Sequence, residues 1–144
     1  LAFHSTFSAG ASRYGVADLE TLALDTHKFE SRYLDRLIGP YPDERSTYVA
    51  RSPIHHSEKF TRPMIILQGT DDAVVPQNQA DHIVSALKEK NIPYSYLLFD
   101  GEGHGFRKAE NIVAALEAEY SFFSQIFGFT PADDIEPVEI VRGS

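Results

Sequence analysis

The sequence contains no cysteine, so disulfide bonds and thiolate chemistry are excluded and a cytoplasmic location is favoured. It contains no apolar run that approaches the roughly 20 residues of a membrane-spanning helix, so no membrane partner is expected. It also lacks an excess of positive charge. The net charge is -8 at pH 7, and nucleic acid is not expected as a partner because phosphate binding requires a basic face.

The residues that are present are those of an ordinary globular domain. Hydrophobic residues make up 42% and charged residues 24% of the 144 residues, which suffices for one domain with a hydrophobic core. No signal peptide is visible at Leu1, and the missing initial methionine predicts that the sequence comes from the middle of a longer protein.

An apolar stretch and the polar loop after it suggest where chemistry takes place. Met64–Gln68 is a continuous apolar run between Pro63 and Gly69, typical of a parallel strand that is covered on both faces. Parallel sheets place their working groups in loops at the carboxyl ends of the strands. The loop after this strand carries two adjacent carboxylates, Asp71 and Asp72.

A second stretch repeats this design. Tyr94–Phe99 predicts a strand, and it is followed by the sequence DGEGHGF at residues 100–106. Glycines on both sides of His104 allow the backbone to turn tightly. An acid after one strand and a histidine after the next are two members of a nucleophile–histidine–acid triad.

The rest of the chain alternates in a way that predicts an α/β fold, with a parallel sheet and covering helices. The predicted elements are a strand at Ala9–Tyr14 and helices at Leu19–Leu24, Phe29–Ile38, Asn78–Lys90 and Ala109–Phe127. The predicted inner face of the helix at 78–90 contains Ala80, Ile83, Val84 and Leu87. That of the longest helix contains Ile112, Leu116, Tyr120, Phe123 and Phe127.

The two ends of the predicted domain differ. Three clear strands are few for a covered sheet, and the strand at Ala9–Tyr14 is left as an open edge unless another segment pairs with it. The chain is therefore interpreted as the second half of a larger domain, whose partner is the preceding part of that domain or a second copy. The acidic tail, residues 130–144, is expected to be loosely attached.

These motifs resemble those of a known family. The loop Gly69-x-x-Asp72-x-x-Val75-Pro76, followed by Gly103-His104-Gly105-Phe106, is similar to the C-terminal half of an α/β-hydrolase. The wider sequence resembles the prolyl oligopeptidase family, in its acylaminoacyl-peptidase and dipeptidyl-peptidase-like branch. The matching segments are residues 14–19, 26–34, 51–54, 101–106 and 109–111. The resemblance implies that residues 1–129 form a partial catalytic domain and that residues 130–144 form a tail.

The resemblance also implies roles for individual residues. Asp72 takes the position of the triad acid and His104 that of the general base in a serine peptidase that acts on short peptides. Asp71 is the alternative acid, and its structural interpretation is a turn or capping carboxylate. Many relatives carry an arginine, which helps to hold the substrate backbone, at the position of Val74. Tyr33, with Phe29, either lines a substrate pocket or packs in the core, and packing is favoured.

The nucleophile is missing from the sequence. No Gly-x-Ser-x-Gly elbow occurs; the segment from Gly10 to Gly15 has one residue too many, and its Ser12 is interpreted as structural. The resemblance places the serine elbow a dozen or so residues before Leu1, on the strand beside Ala9–Tyr14. It places the oxyanion-hole amides upstream of Leu1 as well, and a β-propeller further upstream again. The chain alone is therefore expected to be catalytically inert.

Other interpretations remain open at this point. A carboxylesterase or a dienelactone-hydrolase-like enzyme would share the acid loop and the Gly-His-Gly-Phe ending. A non-catalytic subdomain could instead dimerise along the open edge at Ala9–Tyr14. The adjacent pair His55 and His56 is not expected to bind a metal, because neighbouring side chains rarely chelate one ion and no third ligand has suitable spacing. No cofactor is expected.

Overall fold

The computed structural model describes residues 1–25 and 32–143. Its elements are β1 (Gly10–Arg13), α1 (Leu19–Asp25), α2 (Tyr33–Leu37), α3 (Arg45–Arg51), a 3-10 helix (Pro53–Lys59), β2 (Met64–Gly69), α4 (Asn78–Glu89), β3 (Tyr94–Phe99) and α5 (Ala109–Phe127). The predicted strands and helices are present, although β1 is shorter than predicted at both ends. The helix α3 and the 3-10 helix were not predicted, because the sequence of residues 41–62 indicates a turn-rich stretch. The first part of the helix predicted at 29–38, including Phe29, lies outside the described residues.

The three strands form a parallel sheet in the order β1-β2-β3, as the α/β pattern predicts. Met64 lies opposite both Gly10 and Tyr94, and the register continues until Gly69 lies opposite Phe99. The loops that follow β2 and β3 therefore start side by side. Within residues 1–25 and 32–143, the outer edge of β1 has no strand partner, in agreement with the predicted open edge.

Hydrophobic clusters cover both faces of the sheet, because alternate residues of a strand point to opposite faces. Ile66 packs with Ala80, Ile83 and Leu87 of α4, which confirms the predicted inner face of that helix. On the other face, Ile65 and Leu67 pack with residues of α5. The central strand is therefore buried from both sides, as its uninterrupted apolar sequence indicates.

The predicted inner face of α5 is wrong except for Phe123, which packs against the hydrophobic cluster on the α5 side of the sheet. Leu116 is 54% and Phe127 53% exposed, and Ile112 and Tyr120 are exposed as well. The buried residues of this helix are Ala115, Ala118, Ser121, Phe122 and Ser124. Small side chains let the helix backbone approach the sheet closely, whereas the larger apolar row points away from it. Apolar residues occur all round this helix, so their spacing does not determine which side is covered.

The loose attachment predicted for the tail is also wrong for its last part. Val141 forms an antiparallel bridge with Tyr94, with hydrogen bonds of 3.0 and 2.7 Å between their backbone groups. The N–H of Val138 donates to Ser121 Oγ at 2.8 Å, and Ile140 packs on the α5 side of the sheet. Apolar residues at the end of the acidic stretch provide this contact. The tail thereby covers the start of the outer edge of β3, where Tyr94 and Ser95 would otherwise lack these partners.

No helix among the described residues is long and apolar enough to cross a membrane.

Candidate active site

Asp72 is held rigidly in the loop after β2. Its side chain is fully buried, and its Oδ1 accepts hydrogen bonds from the N–H groups of Val74 at 2.9 Å and Val75 at 2.8 Å. Gln68, at the end of β2, donates to the carbonyl of Val75 at 3.0 Å and lies 3.5 Å from Asp72 Oδ2. These contacts fix the loop, so that Oδ2 is directed towards the loop after β3.

His104 lies in that second loop, within hydrogen-bonding distance of Asp72. Its Nδ1 is 3.1 Å from Asp72 Oδ2, and 39% of its side chain is exposed. Gly105 has a φ of 96°, a left-handed conformation that side chains disfavour, so glycine is needed beside the histidine. With Nδ1–H donating to the carboxylate, Nε2 is presented on the opposite side of the ring as a proton acceptor.

The neighbouring carboxylate takes no part in this pair. Asp71 is exposed, and its Oδ1 accepts a hydrogen bond from the hydroxyl of Thr70 at 3.3 Å. Its backbone N–H donates to the carbonyl of Glu102 at 2.9 Å, which joins the two loops. The structure therefore brings Asp72 to His104 and leaves Asp71 as a turn residue.

A mostly apolar cavity of about 410 Å³ opens beside His104. It is lined by Tyr14, Val16, Leu22, Tyr33, Leu34, Val74, Val75 and His104. Val74 and Tyr33, the two candidate substrate-binding residues, are thus both in its wall. The favoured packing role of Tyr33 is wrong, because its side chain is 61% exposed. Its companion Phe29 lies outside the described residues.

Sequence reasoning missed Tyr14 as part of this site. Its ring centroid lies 4.9 Å from that of His104 and 5.5 Å from that of Phe106, so it packs against the histidine. Tyr14 has a φ of 40°, which is unusual for a residue with a side chain. An aromatic residue directly after a strand that ends beside the acid loop is the signal that could have identified it.

Ser12 and the histidine pair lie elsewhere. Ser12 lines a separate cavity with Leu1 and Phe3, and it is not among the residues around His104. His55 Nε2 lies 3.7 Å from Asp18 Oδ1 and 3.5 Å from Glu20 Oε2, an approach of two carboxylates that sequence spacing did not indicate. His56 does not belong to this group.

This cluster is nevertheless filled by protein donors. Arg45 Nε lies 2.6 Å from Glu20 Oε1, which forms an ion pair. The Asp18 carboxylate accepts hydrogen bonds from the first turn of α1 and from the Thr21 hydroxyl at 2.7 Å. The cluster stabilises the start of α1 through these contacts, and a metal would have to displace them.

Comparison with known proteins identifies the family of this chain. Residues 1–130 match the model of the prolyl oligopeptidase family. The chain is 32% identical over 127 residues to dipeptidyl aminopeptidase BIII of Pseudoxanthomonas mexicana, and the aligned segment covers 85% of this chain and 18% of that protein. It is 38% identical over 129 residues to dipeptidyl peptidase family member 6 of Caenorhabditis elegans, and this aligned segment covers 85% of the chain and 17% of that protein.

Solved structures are similar as well. A puromycin-hydrolyzing peptidase of Mycobacterium tuberculosis superposes with a TM-score of 0.91 and 44% identity, over 96% of this chain and 21% of that one. A puromycin hydrolase superposes with a TM-score of 0.92 and 38% identity, over 98% of this chain and 21% of that one. The chain spans less than a quarter of the length of these relatives. It is a partial α/β-hydrolase domain that belongs to the prolyl oligopeptidase family.

Proposed function

We propose that this chain supplies the acid and the base of a serine peptidase. The observation that carries the proposal is the distance of 3.1 Å between His104 Nδ1 and the buried carboxylate of Asp72. In the proposed reaction, His104 Nε2 takes the proton of a serine hydroxyl as its oxygen attacks the substrate carbonyl carbon. The same nitrogen gives that proton to the leaving amine as the carbon–nitrogen bond breaks. Water then releases the acyl group by the same route.

The nucleophile of this proposal lies outside the sequence. The chain contains no Gly-x-Ser-x-Gly elbow, and Ser12 lines a cavity other than that of His104. Removing one triad member costs several orders of magnitude in rate. The isolated chain is therefore proposed to be inert, and activity belongs to a longer protein that contains it.

The cavity beside His104 is the proposed site for a substrate side chain. Its volume of about 410 Å³ lies in the range of small-molecule sites. Val74, Leu22 and Tyr33 give it an apolar wall, which favours short peptides with an apolar residue next to the scissile bond. The names dipeptidyl aminopeptidase and puromycin hydrolase, borne by similar proteins, support a short substrate over a folded protein.

Hydrolysis of aminoacyl anilides by the longer protein tests the proposal. We expect His104→Ala and Asp72→Ala to lower kcat/KM by at least about a thousandfold, and the matched variant Asp71→Ala to lower it by less than about tenfold. Equal losses at Asp71 and Asp72 would contradict the assignment of the acid. Turnover by the isolated chain that disappears in Ser12→Ala would contradict the location of the nucleophile.

The alternatives are less well supported. The matched family and the similar peptidases favour a peptidase over a carboxylesterase or dienelactone hydrolase. The outer edge of β1 is proposed to pair with the preceding part of the same domain. Pairing with a second copy is the other possibility, and light scattering that shows a monomeric longer protein would exclude it. The cytoplasmic location stays a prediction.

A further inference from the structure

Glu102 carries a buried carboxylate in the loop that contains His104, residues 100–108 (the histidine loop). The residue is 2% exposed. Its Oε2 accepts a hydrogen bond from the N–H of Arg107 at 2.8 Å. Its Oε1 accepts one from the N–H of Lys108 at 2.9 Å and one from Asn111 Nδ2 at 2.8 Å. The side chain of Glu102 therefore joins the residue two positions before His104 to the segment that follows it.

The backbone of Glu102 makes the connection to the acid loop. Its carbonyl accepts a hydrogen bond from the N–H of Asp71 at 2.9 Å, one residue before the buried Asp72. A Cβ added to Gly69 would come within 2.2 Å of this carbonyl oxygen, so the two loops are in direct backbone contact. Gly69 is thus required for this approach. Glu102 contacts the segment after His104 through its side chain and the acid loop through its carbonyl group.

The negative charge of the Glu102 carboxylate strengthens these hydrogen bonds. Hydrogen bonds from Asn111 and from the N–H groups of Arg107 and Lys108 lower the pKa of the carboxyl group, so it is ionised at neutral pH. An ionised carboxylate accepts stronger hydrogen bonds than a neutral group and is favoured at the start of a long helix. Lys108, the N-cap residue of α5, donates only its backbone N–H to Glu102, and its side-chain Nζ donates to the carbonyl of Asp100.

The glycines explain why such a restraint is needed. Gly101 and Gly105 have φ values of 66° and 96°, and Gly103 lies between them in the chain. Glycine has the largest conformational freedom of any residue, so this loop would sample many shapes without external contacts. A shift of about 1 Å in the loop would break the contact of His104 with Asp72 and could lower the rate about a hundredfold.

We propose that Glu102 is a positioning residue that holds His104 Nδ1 at hydrogen-bonding distance from Asp72. It acts through the backbone on both sides of the histidine and has no contact with the substrate in this proposal. The naming of His104 as a base rests on the proposed function, whereas the hydrogen bond itself can be measured without any activity.

The test observes the proton between His104 and Asp72 by one-dimensional ¹H NMR of the longer protein, where such protons appear far downfield. Its signal is assigned by its loss in His104→Ala. We expect Glu102→Gln, which keeps the size of the side chain but replaces one acceptor with an NH₂ donor, to raise the exchange of this proton with water at least about tenfold. The matched control Glu110→Gln changes an exposed glutamate in the first turn of α5 and is expected to leave the signal unchanged.

A second variant covers the case in which Glu102→Gln does not fold. Asn111→Ala removes one of the donors to Glu102 and keeps the carboxylate, and we expect a smaller change of exchange rate in the same direction. A signal that is unchanged in a folded Glu102→Gln protein, or unchanged in Asn111→Ala where Glu102→Gln does not fold, overturns the proposal.

Kinetics separate this proposal from the proposed function. A positioning role predicts that Glu102→Gln lowers kcat while KM stays within about twofold. If Asp72→Ala and His104→Ala retain full peptidase activity, the proposed function fails, and the NMR result still decides whether Glu102 positions the histidine.

Discussion

The substitution Asp72→Asn tests the proposed chemistry most directly, because it changes charge and hydrogen-bonding direction with almost no change in volume. The asparagine carbonyl can take the place of Oδ1, which accepts from the N–H groups of Val74 and Val75. The amide NH₂ then occupies the position of Oδ2, 3.1 Å from His104 Nδ1. Because an NH₂ group donates, Nδ1 must become an acceptor and the ring proton moves to Nε2.

This change of tautomer removes the base. A protonated Nε2 cannot accept the serine proton, and the imidazolium that forms during attack loses its carboxylate partner. We expect kcat to fall about 10⁴-fold, equivalent to about 5.5 kcal/mol in the activation free energy, with little change in KM. The assay is anilide hydrolysis by the longer protein, with a crystal structure or melting temperature to show that the loop is retained.

The matched control for this experiment is Asp71→Asn, one residue earlier on the same turn. Asp71 is exposed and bonds to Thr70, so its conversion is expected to change kcat less than about threefold. If Asp72→Asn retains kcat within about tenfold of the unchanged protein, the tautomer argument is refuted, and with it the role of Asp72 as triad acid.

The remaining predictions concern stability and specificity. In urea titrations, Phe122→Ala, at a fully buried position, should lower the free energy of unfolding by about 3–5 kcal/mol. Phe127→Ala, at an exposed position of the same helix, should lower it by about 1 kcal/mol. Equal losses would contradict the observed buried face of α5. Deleting residues 138–143 should expose the edge of β3 and produce oligomers in light scattering, and a monomer of unchanged stability would contradict the observed tail contacts. Tyr33→Ala should raise KM for substrates with large apolar residues more than for those with alanine, and a uniform effect would argue against its place in the pocket. The pKa of Glu102 is lowered from 4.5 in the folded protein, so its ionised carboxylate stabilises the fold above that pH, and this stabilisation is lost as the pH falls below it. In Glu102→Gln, the free energy of unfolding should therefore depend less on pH in this range.

The acid and histidine loops could be predicted from the sequence because their information is local. The strand at Met64 is an apolar run with Pro63 before it and a glycine at its end, and the strand before His104 follows Pro93 and is succeeded by Asp100 and Gly101. In a parallel sheet, adjacent strands bring the loops at their carboxyl ends together, so residues far apart in the chain could be placed at one site.

Other features depend on packing that the sequence does not encode locally. The inner face of α5 could not be predicted, because apolar residues surround the helix and the small Ala115 and Ala118 decide which side approaches the sheet. The attachment of the tail was obscured by its acidic composition, although Val138 and Ile140 supply an apolar side. The carboxylate of Glu102 accepts hydrogen bonds from the backbone N–H groups of Arg107 and Lys108, and backbone donors leave no signature in the sequence.

The contacts divide the proposed catalytic machinery into a pair that this chain holds preformed and a nucleophile that is proposed to lie outside it. The carboxylate of Asp72 is fixed by backbone N–H groups of its own loop, and His104 is fixed by contacts with that loop and with Tyr14. All of these contacts lie within the described chain, so the pair does not require the nucleophile for its geometry. An isolated chain that folds should therefore retain the hydrogen bond between the two residues while it hydrolyses no peptide. Loss of that bond in a folded chain would show that the remainder of the proposed longer protein is needed to form the site, in addition to supplying a serine.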